Sequence, residues 1–478
     1  MNKKLLLSLA VAVLMAAPAF AAVQNVKVSG DIDSWYVNRT NFDLGQRGAA
    51  EVRAGLAEQS VFLTQTRLRV DADLSDNVST TVGLINERAW NAESSSDTNV
   101  QLYLAYVTLR EFLYSPLTVS VGRQVFHYGN GLIIGDGGQN NITVNNLATV
   151  ASDLSKRTTY DGVKAVFDYK PLTIDLIYFK NASGVVTGVR DSLKDDSDVY
   201  GVNANYQLGD NNNSAVEGYF FARVTGDRNT SVNGGSLATQ GDKGDQLYAP
   251  GLRVSTNPVK GLNTQAEIAW QLGTKGRVDS GAPAGGDNLH RSAMAYQVMA
   301  SYALPVAELE KYKTAVNASY THVSGDKNGT VNRAVGNASS REVYAAWDPF
   351  NEAQGGGTIY NTLFDLTNLN IVSVGASAAP IQDVTAAFTW SGLWADRKIS
   401  SENPLVFRNP DGTITGTYTG STTGRKDMGN EYDVNVNYAY TEDVTFGVSL
   451  GWYIPGKMFS GSNDSTASQA LAHVNVNF

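Results

Sequence analysis

Apolar residues recur at every second position in a long series of short runs. In the first, Val26, Val28 and Ile32 share one face. In the next, Phe62, Leu68, Val70 and Ala72 oppose Arg67, Arg69, Asp71 and Asp73. The stretch 102–136 holds two such runs joined at Ser115-Pro116. Tyr103, Ala105, Val107 and Leu109 are expected on one face of the first, against Tyr106, Thr108 and Arg110. Val119 and Val121 oppose Thr118, Ser120 and Gly122 in the second. The same grammar returns with Tyr200, Val202, Ala204 and Tyr206, with Ala266, Ile268 and Trp270 against Gln265, Glu267 and Gln271, and with Tyr432, Val434, Val436 and Tyr438 against Glu431, Asp433 and Asn435. The last run ends in Val474, Val476 and Phe478. A period of two predicts β-strands, each with one apolar and one polar face.

The connections add an independent pattern. Those at 75–77, 170–171, 209–213, 257–261, 380–382 and 441–443 are tight, whereas those at 40–59, 127–157, 326–360 and 396–427 are long. Short and long connections alternate around the chain. A soluble sandwich has no reason for that parity, but a transmembrane barrel does: its short turns face the periplasm and its long loops face outward. The fold predicted is an all-β, transmembrane antiparallel β-barrel of about 18 strands, an even number as bacterial barrels require. Tyr and Trp at strand ends, such as Tyr36, Trp90, Tyr248 and Trp452, fit interfacial girdles.

The N-terminus reads differently. Lys3 and Lys4 precede an apolar run, and Ala19-Phe20-Ala21 is a small-x-small cleavage site. Residues 1–21 are therefore expected to be a signal peptide, and residues 22–478 a single barrel domain. Without Lys3 and Lys4 the 37 basic residues become 35 against 46 acidic, a mature charge of −11. That argues against a nucleic-acid partner. The chain has no cysteine, so nothing depends on disulfides or thiol chemistry. A mean hydropathy of −0.21 excludes a helical membrane bundle but not a barrel, in which only alternate residues meet lipid.

Several motifs resemble the alginate-export family of outer-membrane barrels. They are TRLRVDADLSDN at 66–77, AYVTLR at 105–110, GRQVFHYG at 122–129, YDGV at 160–163, DLTNL at 365–369, Trp394-Ala395-Asp396, and NEYDVNVNYAYTEDVTFGVSLGWYIPG at 430–456. Their order and spacing carry the likeness across most of the barrel. The resemblance implies an 18-stranded outer-membrane channel. The family's alginate exporter has a strongly basic constriction, whereas the inward charges here are mixed. The likeness therefore bears on architecture and channel function more than on alginate as cargo. Phe478 looks like the outer-membrane assembly signal, which implies a partnership with the barrel-assembly machinery.

Catalysis has little support. The four histidines, His127, His290, His322 and His473, are dispersed without metal-ligand spacing, and no cofactor is expected. The functional candidates are the charged residues predicted to line the lumen: Arg67, Arg69, Arg88, Arg110, Arg123, Asp136, Arg157, Lys164, Arg223, Arg253, Glu267 and Glu431. Arg88 and Arg123 are out of phase, and pointing inward would require a bulge or strand end. Arg67 and Arg69 have a plainer reading as wall partners of Asp71 and Asp73. The tract 127–157 contains Leu132, Ile133, Ile134, Leu147 and Val150, which are costly to leave in water. It is expected to fold into the barrel and bring Asp136, Asp153, Lys156 and Arg157 towards the arginines of the second to fifth strands; an ordered external cap is the alternative. The leading functional reading is an outer-membrane porin of a Gram-negative-type bacterium, surrounded by lipid and passing small hydrophilic or anionic solutes. The alternatives are an exporter of an acidic polysaccharide and a structural or adhesive barrel with a plugged lumen.

Overall fold

The computed structural model describes residues 25–45, 58–90, 100–135, 151–182, 197–225, 245–275, 289–326, 343–354, 359–399, 405–408, 414–418, 424–459 and 464–478. The expected signal peptide lies outside them. The strands are β1 (Asn25–Thr40), β2 (Gln59–Ser75), β3 (Val78–Ala89), β4 (Gln101–Leu109), β5 (Leu117–Val125), β6 (Thr159–Asp168), β7 (Leu172–Ala182), β8 (Ser197–Gln207), β9 (Ala215–Thr225), β10 (Asp245–Val259), β11 (Leu262–Lys275), β12 (Leu289–Ala303), β13 (Ala315–Val323), β14 (Val343–Tyr344), β15 (Leu369–Ile381), β16 (Val384–Ala395), β17 (Leu405–Arg408), β18 (Ile414–Tyr418), β19 (Asp427–Ala439), β20 (Val444–Pro455) and β21 (Ala467–Asn477).

Eighteen of these form a closed antiparallel barrel in which each strand pairs with its neighbour in sequence and β21 returns to β1. Of the other three, β14 adds a two-residue parallel pairing to β12, and β17 and β18 form a separate hairpin. Closure removes every free edge, which a membrane-spanning sheet requires. At the seam the Phe478 amide and carbonyl bond Gly30 at 3.0 and 2.8 Å. The Phe478 ring occupies the space a Cβ on Gly30 would need, at 2.6 Å.

The face assignment follows the sequence pattern. Val28, Val202, Val298 and Val374 stand out from the barrel, with Val28 56% exposed, and form the surface that meets lipid. Across the wall, Asp31, Asp33, Gln65, Glu87, Glu267 and Glu431 are buried inside. Aromatic groups cluster near the ends of outward faces. Trp90 stacks on Phe62, and Tyr114 hydrogen-bonds Tyr169 at the tight-turn end.

Tyr103 departs from the expected alternation. The register of β3 with β4 slips between Gly83 and Leu84. One extra residue on β4 turns Tyr103 inward and buries it. Its ring then covers Gly83, where a Cβ would lie 2.6 Å away.

Candidate functional site

The core of this barrel lies inside it, where long connections turn back and pack on the inner wall. The segment 126–135 buries Phe126, Leu132, Ile133 and Ile134 against Phe179 of β7 and Phe221 of β9. The segment 343–354 buries Trp347 and Phe350 in the same cluster. The two segments also pair with each other. Asn351 donates its amide to Ile133, Gly135 donates to Asn351, and Ala353 donates to Gly131, at 2.8–3.0 Å. Their backbone groups are thus satisfied away from solvent.

Polar anchors hold this partition. Tyr128 donates to Asp175 at 3.0 Å. Arg253 pairs with Glu217 at 3.0 Å and reaches Asn130. Glu267 accepts from Tyr219 at 2.7 Å and from the Asn130 amide. Glu431, fully buried, receives the amides of Ile359 and Tyr360 at 2.8 and 2.7 Å. The largest anchor is Asp348. It contacts Lys275 at 2.7 Å, Arg291 at 2.9 Å and Arg223 at 3.2 Å. Burial pushes its carboxyl up, but the three cations outweigh that and hold it well below the usual carboxylate range.

The far end of the tract 127–157, residues 151–157, lies on β1–β3. Asp153 pairs with Arg39 at 2.5 Å, and Arg39 also holds Gln469. Lys156 bridges Asp31 and Asp33 at 2.6 and 3.1 Å, while Arg157 meets Glu87 at 3.0 Å. Arg67 pairs with Asp31 at 2.7 Å, and His473 reaches Asp33.

Of the residues singled out from sequence, Arg67, Arg69, Arg110, Lys164, Arg223, Arg253, Glu267 and Glu431 share the inward face, and Arg157 lies against it. Arg69 pairs with Asp71, as the plainer reading held. Arg110 sits at the tight-turn end near Asp73, half-exposed.

Arg88 and Arg123 require correction: they lie on the outer face. Arg123 stays in phase with Val121 along an unbroken register and pairs outside with Asp161 at 2.7 Å. Arg88 follows Val82 and Leu84 and lies opposite Thr64. No bulge turns either one inward. Both stand near the long-loop ends of their strands, where the apolar band gives way to polar surroundings. Asp136 lies outside the described residues. The expected approach of the loop to arginines also changes, because Asp153 finds Arg39 of β1, while Lys156 and Arg157 find carboxylates.

Sequence reasoning missed Asp31, Asp33, Arg39 and Glu87, although each is out of phase with the apolar face of its strand and so was readable as inward. It also missed Asp348, and no local signal marks a loop aspartate for three distant cations. Among the described residues no cluster of His, Asp and Glu could hold a metal ion.

The family model for alginate export matches residues 28–473. The chain belongs to the alginate-export family. As a family member with a closed barrel and an apolar outer band, it is an integral outer-membrane barrel. No curated protein matches it in sequence. Among solved structures it is similar to Pseudomonas aeruginosa OpdK with vanillate, at 11% identity and a TM-score of 0.53, covering 95% of this chain and 99% of that one. It is also similar to P. aeruginosa OccK3 (OpdO), at 12% identity and a TM-score of 0.51, over 96% and 97% of the two chains. P. aeruginosa OccK2 (OpdF) in complex with glucuronate gives 11% and 0.51, over 95% and 98%. These likenesses concern the fold. Family membership and barrel geometry together describe a channel set in lipid through which solutes pass.

Proposed function

We propose that this member of the alginate-export family works as a passive porin for small hydrophilic or anionic solutes, with a constriction made by its inward loops. The observation that carries this reading is the charge pairing of the inner wall. Arg67, Arg69, Arg157, Arg223, Arg253 and Arg291 each face a carboxylate within 3.3 Å. A dedicated conduit for a polyanion calls for uncompensated positive charge along its path. A lumen of balanced pairs filters by size and local geometry instead. An 18-stranded barrel is wide enough for an aqueous channel, and the partition narrows it. OpdK with vanillate and OccK2 with glucuronate each hold a small carboxylate, which agrees with solutes of that size. The exporter reading draws on the family match.

Planar-bilayer recording distinguishes the readings. A porin shows stable open steps; an exporter conducts but is blocked by an acidic polysaccharide; a plugged barrel stays silent. Deleting residues 130–155 removes the Asn130 and Asp153 anchors and should raise single-channel conductance severalfold while loosening size selection. Unchanged conductance in a normally inserted deletion variant would place the restriction elsewhere. Arg123→Gln, on the outer face, should leave ion preference unaltered.

The seam adds a prediction about assembly. Removing Phe478 takes away both bonds to Gly30 and the C-terminal aromatic residue that we assign to recognition by the barrel-assembly machinery. The truncated chain should reach the periplasm but insert poorly. Outer membranes are then assayed for the heat-modifiable barrel, and wild-type amounts would count against the assignment.

A further inference from the structure

Between the partition and the wall formed by β12, β13 and β15 lies a cavity of about 180 Å³. None of its lining residues is charged, although Arg253 and Glu217 pair on the wall beyond β11. Gln297 of β12, Thr321 and Ser319 of β13, Ser373 of β15, and Asn130 and Gln354 of the two inner segments supply its polar lining. Met299 and Ile371 supply apolar surface beside them. We infer that this cavity is a binding site for an uncharged, polyhydroxylated solute of single-sugar size, which rests on the channel reading above and narrows its substrate class.

The amides form a connected row. Gln297 donates to Thr321 and to Gln354 at 2.8 Å, and Gln354 donates to the Asn130 carbonyl at 3.0 Å. Two groups in the row remain unspent. The Gln297 carbonyl and the Asn130 side-chain NH₂ are buried without hydrogen-bond partners. Such groups are costly to leave unmade. A slight shift of either amide on binding offers one acceptor and one donor, the pair that a sugar hydroxyl or vicinal diol satisfies. The adjoining methionine and isoleucine suit the C–H face of a ring. By liquid volume the cavity has room for about six waters, comparable to one pyranose. A carboxylate placed here would lose its hydration and gain no opposite charge.

The test uses the purified full-length barrel in detergent, titrated calorimetrically with D-glucose and D-glucuronate, which share a ring and differ in charge. Glucose should bind with a millimolar dissociation constant and glucuronate at least tenfold more weakly. Gln297→Leu should weaken glucose at least tenfold while keeping heat-modifiable mobility. Ser319→Ala, a smaller change, should weaken it severalfold and serves if the first variant does not fold. Equal affinity for the two sugars, no heat with either, or unchanged glucose affinity in folded Gln297→Leu would each overturn the site. Conductance of the wild-type barrel is recorded separately. Silence there would count against the channel and leave the calorimetric result to stand on its own.

Discussion

Asp348→Asn is expected to free the segment 343–354 from the barrel wall and raise the conductance and current noise of single channels. The substitution keeps the shape of the side chain and removes only its charge. Arg223, Lys275 and Arg291 would then face one another with Asp245 as the remaining carboxylate nearby, 2.6 Å from Arg291. Removing one partner of a buried ion pair costs about 3–5 kcal/mol because the other charge stays desolvated. The barrel hydrogen bonds do not depend on this residue, so the loss should appear as opening of the segment rather than failure to insert. Channels indistinguishable from wild type, in a variant that inserts normally, would show that the apolar cluster around Trp347 suffices. The same group sets a pH expectation. Its folded pKa is depressed, so its contribution is complete above the unfolded value of 3.8 and is lost only as pH falls through the lower folded value. Conductance should therefore be flat between about pH 4 and 8 as far as this latch is concerned.

The second large effect belongs to the lipid face. Arg in place of Val202 or Val298, both outward and away from strand ends, should destabilise the barrel by roughly 2–4 kcal/mol. Ser301, on the same strand as Val298 but turned inward and exposed, should accept Arg at a cost under about 1 kcal/mol. Urea unfolding in lipid vesicles measures both. Equal costs on the two faces would mean that the inside–outside phase of β12 is wrong.

The strand count and the parity of the connections were legible because each strand repeats the same two-residue pattern, and errors in one strand do not spread to the next. Most lumen-facing charges followed from that pattern. Tyr103 did not, since a single-residue bulge has no signature in composition. Arg88 and Arg123 were placed inside because they are charged, against their own phase, and the phase was the better guide. An arginine near a strand end can stand outside when a partner such as Asp161 is beside it. The inward packing of 126–135 was readable from apolar Leu132, Ile133 and Ile134, which needed cover; Leu147 and Val150 lie outside the described residues. Where the charges of 151–157 would land was not, because that depends on which strands closure brings together.

The pairing of the two inner segments bears on the order of assembly. Asn130 and Gln354 meet across 224 residues of sequence, and neither segment has a complementary surface until the strands between them are in place. Their contact therefore waits on the wall that positions both segments, not on chain separation alone. A newly inserted barrel should accordingly pass through a wide-bore stage, sealed at its edges but open through its middle. Permeability would then fall with time after insertion, so the youngest channels in a membrane would be the leakiest.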